Sequence, residues 1–219
     1  MNAINSSRPA HPYLPFGRIS LRTAAWAAAT GMALVLPFNY LIHFLPLPKA
    51  SALQVETTRH LMLSSSLGLI ALKSLLIYPV IEECVYRGIM LQMLRRYLPL
   101  WAALLPPTLL FGVTHLGYSP QNAVFAGLCG LHFAWLSIRS GSLLTSILCH
   151  SAVNLFAVFL LPLALGRSAA AADPRFLFHP PALVLLAASL AVLAAGMREL
   201  RGAFVRAAPP LGVATPAAA

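Results

Sequence analysis

Six apolar runs follow one another along this chain with only short polar breaks between them, at about residues 23–47, 61–94, 98–116, 121–138, 142–163 and 182–197. The last four are each near the roughly 20 residues that a helix needs to cross the hydrocarbon of a bilayer, and the second is long enough for a tilted or Pro79-kinked helix. In lipid every backbone N–H and C=O must be satisfied inside the chain, which an α-helix does within a single segment. The expectation is therefore an all-α, polytopic transmembrane bundle of about six spans. The first run is longer than the h-region of a signal peptide and reads as a spanning helix or an uncleaved anchor.

Composition agrees. Apolar residues make up 59% of the chain and charged residues 9%, against roughly 45–50% and 25% in soluble domains. So little polar surface disfavours a water-soluble globule and a disordered chain. The net charge of +10 does not point to nucleic acid, because the basic residues lie mostly in the breaks between apolar runs, where they act as topology signals. With the N-terminus cytoplasmic, Arg8, Arg18, Arg22, Arg95, Arg96, Arg139, Arg198, Arg201 and Arg206 face inside. Lys49, Arg59, Arg167 and Arg175 then face outside, a bias that favours this orientation. Residues 1–20 form a cytoplasmic segment, 21–206 the membrane domain, and 207–219, rich in Ala and Pro, a disordered tail. The composition suits a bacterial inner membrane. Cys84, Cys129 and Cys149 lie in apolar segments without C-x-x-C spacing, so they read as small buried side chains. Nothing in the sequence fixes an oligomeric state.

A charge at the bilayer centre costs at least about 2.5–3.5 kcal/mol, so the few ionisable groups inside the runs are the informative ones. The second run holds Lys73, Glu82, Glu83 and Arg87. Glu83 and Arg87 stand four apart on one helix face and suit an intrahelical ion pair, while Glu82 points about 100° away and has no partner nearby in sequence. His115 closes the third run, and His150 and Asn154 share a face of the fifth. Counted from the cytoplasmic ends of their runs at 1.5 Å per residue, Glu82 lies about 20 Å deep, His115 about 26 Å and His150 about 14 Å. Three helices can thus contribute to one polar cavity. Lys73 falls about 33 Å from the inner surface on the same ruler, at the outer boundary, where it can snorkel. His132, with no charged neighbour at helical spacing, reads as a helix–helix hydrogen-bond partner.

Three segments together, Glu82-Glu83-x-x-x-Arg87, Phe111-x-x-x-His115 and His150-x-x-x-Asn154, resemble the CPBP intramembrane proteases, the family of type II CAAX prenyl endopeptidases and bacteriocin-processing or immunity proteins. The likeness covers about residues 74–160, with Tyr86 where the family more often has Phe. It implies an intramembrane endopeptidase acting on a membrane-anchored, possibly prenylated, protein or on a leader peptide. Glu82 and His115 would bind and activate a water, His150 and Asn154 would donate to the oxyanion, and Glu83 with Arg87 would support the site. Peptide hydrolysis asks for that division, a general base for the water and preorganised donors for the developing charge.

Glu82, His115 and His150 also have the ligand types of a catalytic zinc site with three protein ligands and one open position, although no H-E-x-x-H is present. The expectation is no metal cofactor, because Asn154 is a poor zinc ligand and a good oxyanion donor, with the zinc-dependent protease as the alternative. A different class is a non-catalytic peptide-binding or immunity membrane protein using the same cavity. The cost of buried charges without a use argues against it. A small transporter would call for matching broken helices in two halves, and Pro79 and Pro106-Pro107 are not symmetrically placed.

Overall fold

The computed structural model describes residues 16–161, 163 and 178–207. Arg8, Arg167, Arg175 and the tail from residue 208 onward lie outside the described residues. Among those described there are seven helices and no strand. In chain order they are α1 (Leu21–His43), α2 (Ala52–Ser64), α3 (67–94), α4 (Leu100–Thr114), α5 (Pro120–Ser140), α6 (Leu143–Leu160) and α7 (Pro180–Ala207).

The helices α1, α5, α6 and α7 are long and apolar enough to cross a membrane. α4 is a shorter apolar helix. At 15 residues it spans only about 22 Å, which leaves the residue at its C-terminal end, His115, inside a roughly 30 Å hydrocarbon layer. α3 is long enough to cross and carries the four ionisable residues named above. The chain is an integral membrane protein with an all-α bundle.

Local chemistry sets the helix boundaries. The Ser20 hydroxyl accepts from the Thr23 N–H at 3.1 Å to start α1, and Ser51 and Gln54 form a reciprocal capping box at α2. The second apolar run is not one helix from residue 61, as its hydropathy suggests. α2 ends at Ser64, and a new helix begins where the Ser66 hydroxyl accepts from the Leu69 N–H at 3.3 Å. A serine offering a side-chain acceptor can start a helix inside an apolar stretch. α7 runs through Ala207, one residue into the segment expected as tail. Gly141 ends α5 at φ 67°, the left-handed conformation that glycine adopts without strain, and the chain turns directly into α6.

α1 packs chiefly against α6 and α7, and α4 against α5. Without a hydrophobic driving force between helices in lipid, close approach at small residues takes its place. A Cβ at Gly31 of α1 would lie 2.3 Å from the Cys149 carbonyl oxygen of α6, and one at Gly196 of α7 would lie 2.4 Å from Thr30 Cγ2. Glycine is what lets both pairs touch. His132 of α5 places Nε2 3.3 Å from the Thr30 hydroxyl of α1, the interhelical link expected of it.

Candidate functional site

α3 is not a uniform α-helix. Residues Lys73–Ile77 and Cys84–Met90 are wound as π-turns, and Leu155–Leu160 of α6 is another. A regular α-helix advances 3.6 residues per turn, so positions four apart drift steadily around it. Wider π-turns reverse that drift. Ile70, Ser74, Tyr78 and Glu82 stay on one face in consequence, as do His150, Asn154 and Val158, and both sets line a single cavity of about 690 Å3. His115, Asn122 and Lys73 line it too.

Pro79 fixes one of these turns to the opposite helix. The Tyr78 N–H reaches back to the Lys73 carbonyl, and Pro79 has no N–H to offer Ser74. Asn154 Nδ2 supplies the missing donor, bonding the Ser74 carbonyl at 2.8 Å across the interface between α3 and α6. One amide hydrogen of Asn154 is thereby used, and the other is left for the cavity.

Beneath the cavity lies a buried charged cluster. Glu83 is fully buried, and its Oε1 accepts from Arg87 Nη1 at 2.9 Å and from His150 Nδ1 at 3.1 Å. Arg87 Nη2 donates to the Gly130 carbonyl at 3.1 Å. The guanidinium carbon sits 4.5 Å from the centre of the Phe111 ring, a cation–π contact that offsets part of the lost hydration. Gly130 is required here, since a Cβ would come within 2.8 Å of Arg87 Nη2. The His150 ring stacks on Phe133 with centroids 4.7 Å apart. Its orientation is set by a ring on one side and a carboxylate on the other.

Glu82 and His150, expected about 6 Å apart in depth, meet, with Glu82 Oε2 3.6 Å from His150 Nε2. Since the Glu83 carboxylate can only accept, the hydrogen on His150 is assigned to Nδ1, and Nε2 faces Glu82. His115 lies at the C-terminal end of α4 with Nδ1 2.7 Å from the Phe111 carbonyl, which assigns the hydrogen to Nδ1 and leaves a lone pair on Nε2. Each histidine therefore has one nitrogen held by the protein and one available.

The structure brings all six expected residues to one place. Glu82, His115, His150 and Asn154 line the cavity, and Glu83 and Arg87 form the layer under it. Sequence reasoning missed two things: that Glu83 holds His150 as well as Arg87, and that Lys73 belongs to the cavity wall. Glu82, His115 and His150 do not come together in a cluster that could hold a metal ion, nor does any other group of three His, Cys, Asp or Glu among the described residues.

The family model described as Type II CAAX prenyl endopeptidase Rce1-like matches residues 64–156. This segment carries α3 through most of α6 and every residue of the site, so the likeness to that protease family lies where the site residues are. No curated protein and no solved structure matches the chain significantly.

Proposed function

We propose that the chain is an intramembrane endopeptidase that hydrolyses a peptide bond of a membrane-anchored or prenylated protein, or of a leader peptide, with a water activated by Glu82 and His115. The observation that carries this reading is the convergence of Glu82, His115, His150 and Asn154, from three helices, on the wall of one cavity. A carboxylate and an imidazole with a free nitrogen suit general-base work. The base takes a proton from water, and the hydroxide attacks the scissile carbonyl. His150 and Asn154 donate to the oxyanion that forms, and collapse breaks the C–N bond as the proton passes to the leaving amine.

The layer below explains how His150 serves. With Nδ1–H held by Glu83, Nε2 can donate to an oxyanion only when the ring is protonated. The fully buried Glu83 carboxylate, 3.1 Å from Nδ1, fixes the ring with Nε2 turned to the cavity. Glu83 is thus a positioning residue for His150, and Arg87 keeps Glu83 ionised and in place. No step in this reading is routed through a metal. On the distribution of basic residues we place the N-terminus on the cytoplasmic side of a bacterial inner membrane, which accessibility of single cysteines introduced at positions 20 and 49 to an impermeant thiol reagent tests.

The deciding experiment compares the terminal peptides of membrane proteins by mass spectrometry between cells carrying the wild-type chain and cells carrying Glu82→Gln. New termini only with the wild type establish a protease and reveal its substrate. Identical termini, with both proteins folded in the membrane of the native host, overturn the reading in favour of a non-catalytic binding protein.

A further inference from the structure

Lys73 is the one Lys or Arg side chain among the residues lining the catalytic cavity. It is half-buried, and it makes no ion pair among the described residues. Hydropathy alone places it at the lipid boundary, but the π-turn that begins at this residue turns it onto the face shared with Ser74, Tyr78 and Glu82. A cation facing into a cavity walled largely by apolar and neutral polar groups attracts an anion strongly, because the low dielectric screens little. Glu82, the one acidic residue in the lining, stands nine positions away along α3 and lies against His150, 3.6 Å from its Nε2.

We infer that Lys73 receives the free C-terminal carboxylate of the peptide substrate. This rests on the protease reading above. A single ammonium in a cavity that also carries neutral donors, Ser65 and Asn122 among its lining residues, matches a single negative charge. A phosphate would call for a bidentate arginine or several cations.

The test uses purified full-length protein in lipid nanodiscs and an internally quenched peptide library with an S-farnesyl-cysteine followed by three varied residues. Each peptide is made with a free C-terminal carboxylate and as the carboxamide. Cleavage is measured with the wild type, Lys73→Gln and Lys73→Arg, and binding of the same peptides with Glu82→Gln and with Glu82→Gln/Lys73→Gln. The acid should be preferred over the amide by roughly ten- to a hundredfold, the range for a hydrogen bond to a charged group. The preference should appear in KM and in binding rather than in kcat, vanish in Lys73→Gln, and return in Lys73→Arg. Equal handling of acid and amide, or a preference that survives Lys73→Gln, overturns the inference while leaving the protease reading intact. Lys73-dependent binding of the acid without cleavage by the wild type supports the inference and removes the protease. Absence of both binding and cleavage across the library overturns both.

Discussion

Replacing Arg87 with methionine removes the guanidinium but keeps an unbranched apolar side chain beside Phe111. Glu83 then stays fully buried with His150 as its one charged or ionisable contact. In the wild type the two side chains are 1% and 0% exposed and 2.9 Å apart. Breaking a buried pair from one side costs about 3–5 kcal/mol, because the remaining charge is left without compensation. His150 still donates to Glu83, which places the cost near the lower end. For a chain of this size such a loss lowers Tm by about 6–20 °C. Cys129 and Cys149 are buried free thiols, so a thiol-reactive fluorophore added to purified protein in detergent reports unfolding directly. The double variant Glu83→Gln/Arg87→Met removes both charges and should recover most of the lost Tm. It should nonetheless cleave poorly, because His150 has lost the carboxylate that holds its ring in position. If Arg87→Met melts within about 2 °C of the wild type, or the double variant is no more stable than the single one, the uncompensated-charge argument is wrong.

Gly31→Ala should destabilise by about 1–3 kcal/mol, since its Cβ would lie 2.3 Å from the Cys149 carbonyl oxygen; the same thiol melt measures it, and an unchanged Tm would mean that α1 and α6 can separate freely. Asn154→Ala should lower kcat by about a hundred- to a thousandfold, the worth of one oxyanion donor, with KM nearly unchanged; an equal loss in KM would assign Asn154 to holding Ser74 rather than to the transition state. Prolonged treatment with 1,10-phenanthroline should leave cleavage intact, and inactivation reversed by added zinc would restore the metalloprotease alternative.

The parts of this protein governed by local sequence were legible. Apolar runs gave the helices because lipid leaves the backbone no other partner, and the i, i+4 spacing of Glu83 and Arg87 gave the ion pair that forms. Three short motifs marked the site residues. What depends on how turns are wound was not legible. Nothing in composition announces a π-turn, so the place of Lys73 in the cavity wall had no sequence signal. The contact between Glu83 and His150 joins residues 67 positions apart in sequence, and its signal was only indirect, a second carboxylate beside the first. The break at Ser65-Ser66 did have a signal, three serines in succession before an apolar stretch, but hydropathy averaged over a window passes across it.

These features share one physical origin. Pro79 cannot donate a backbone hydrogen bond, and in water the Ser74 carbonyl would simply be hydrated. Inside a membrane protein it must find a donor, and Asn154 on the facing helix is that donor. The bond sets α3 against α6 at the level where His150, one turn before Asn154, reaches the two glutamates that follow Pro79. A helix without the proline would satisfy its own carbonyls and have no need of Asn154 at that point. It would also lose the wider turn that holds Lys73, Ser74 and Tyr78 toward the cavity. The irregular winding of α3 is therefore part of the site, because it converts a local shortage of one N–H into the registration of two helices and the alignment of the groups that line the cavity.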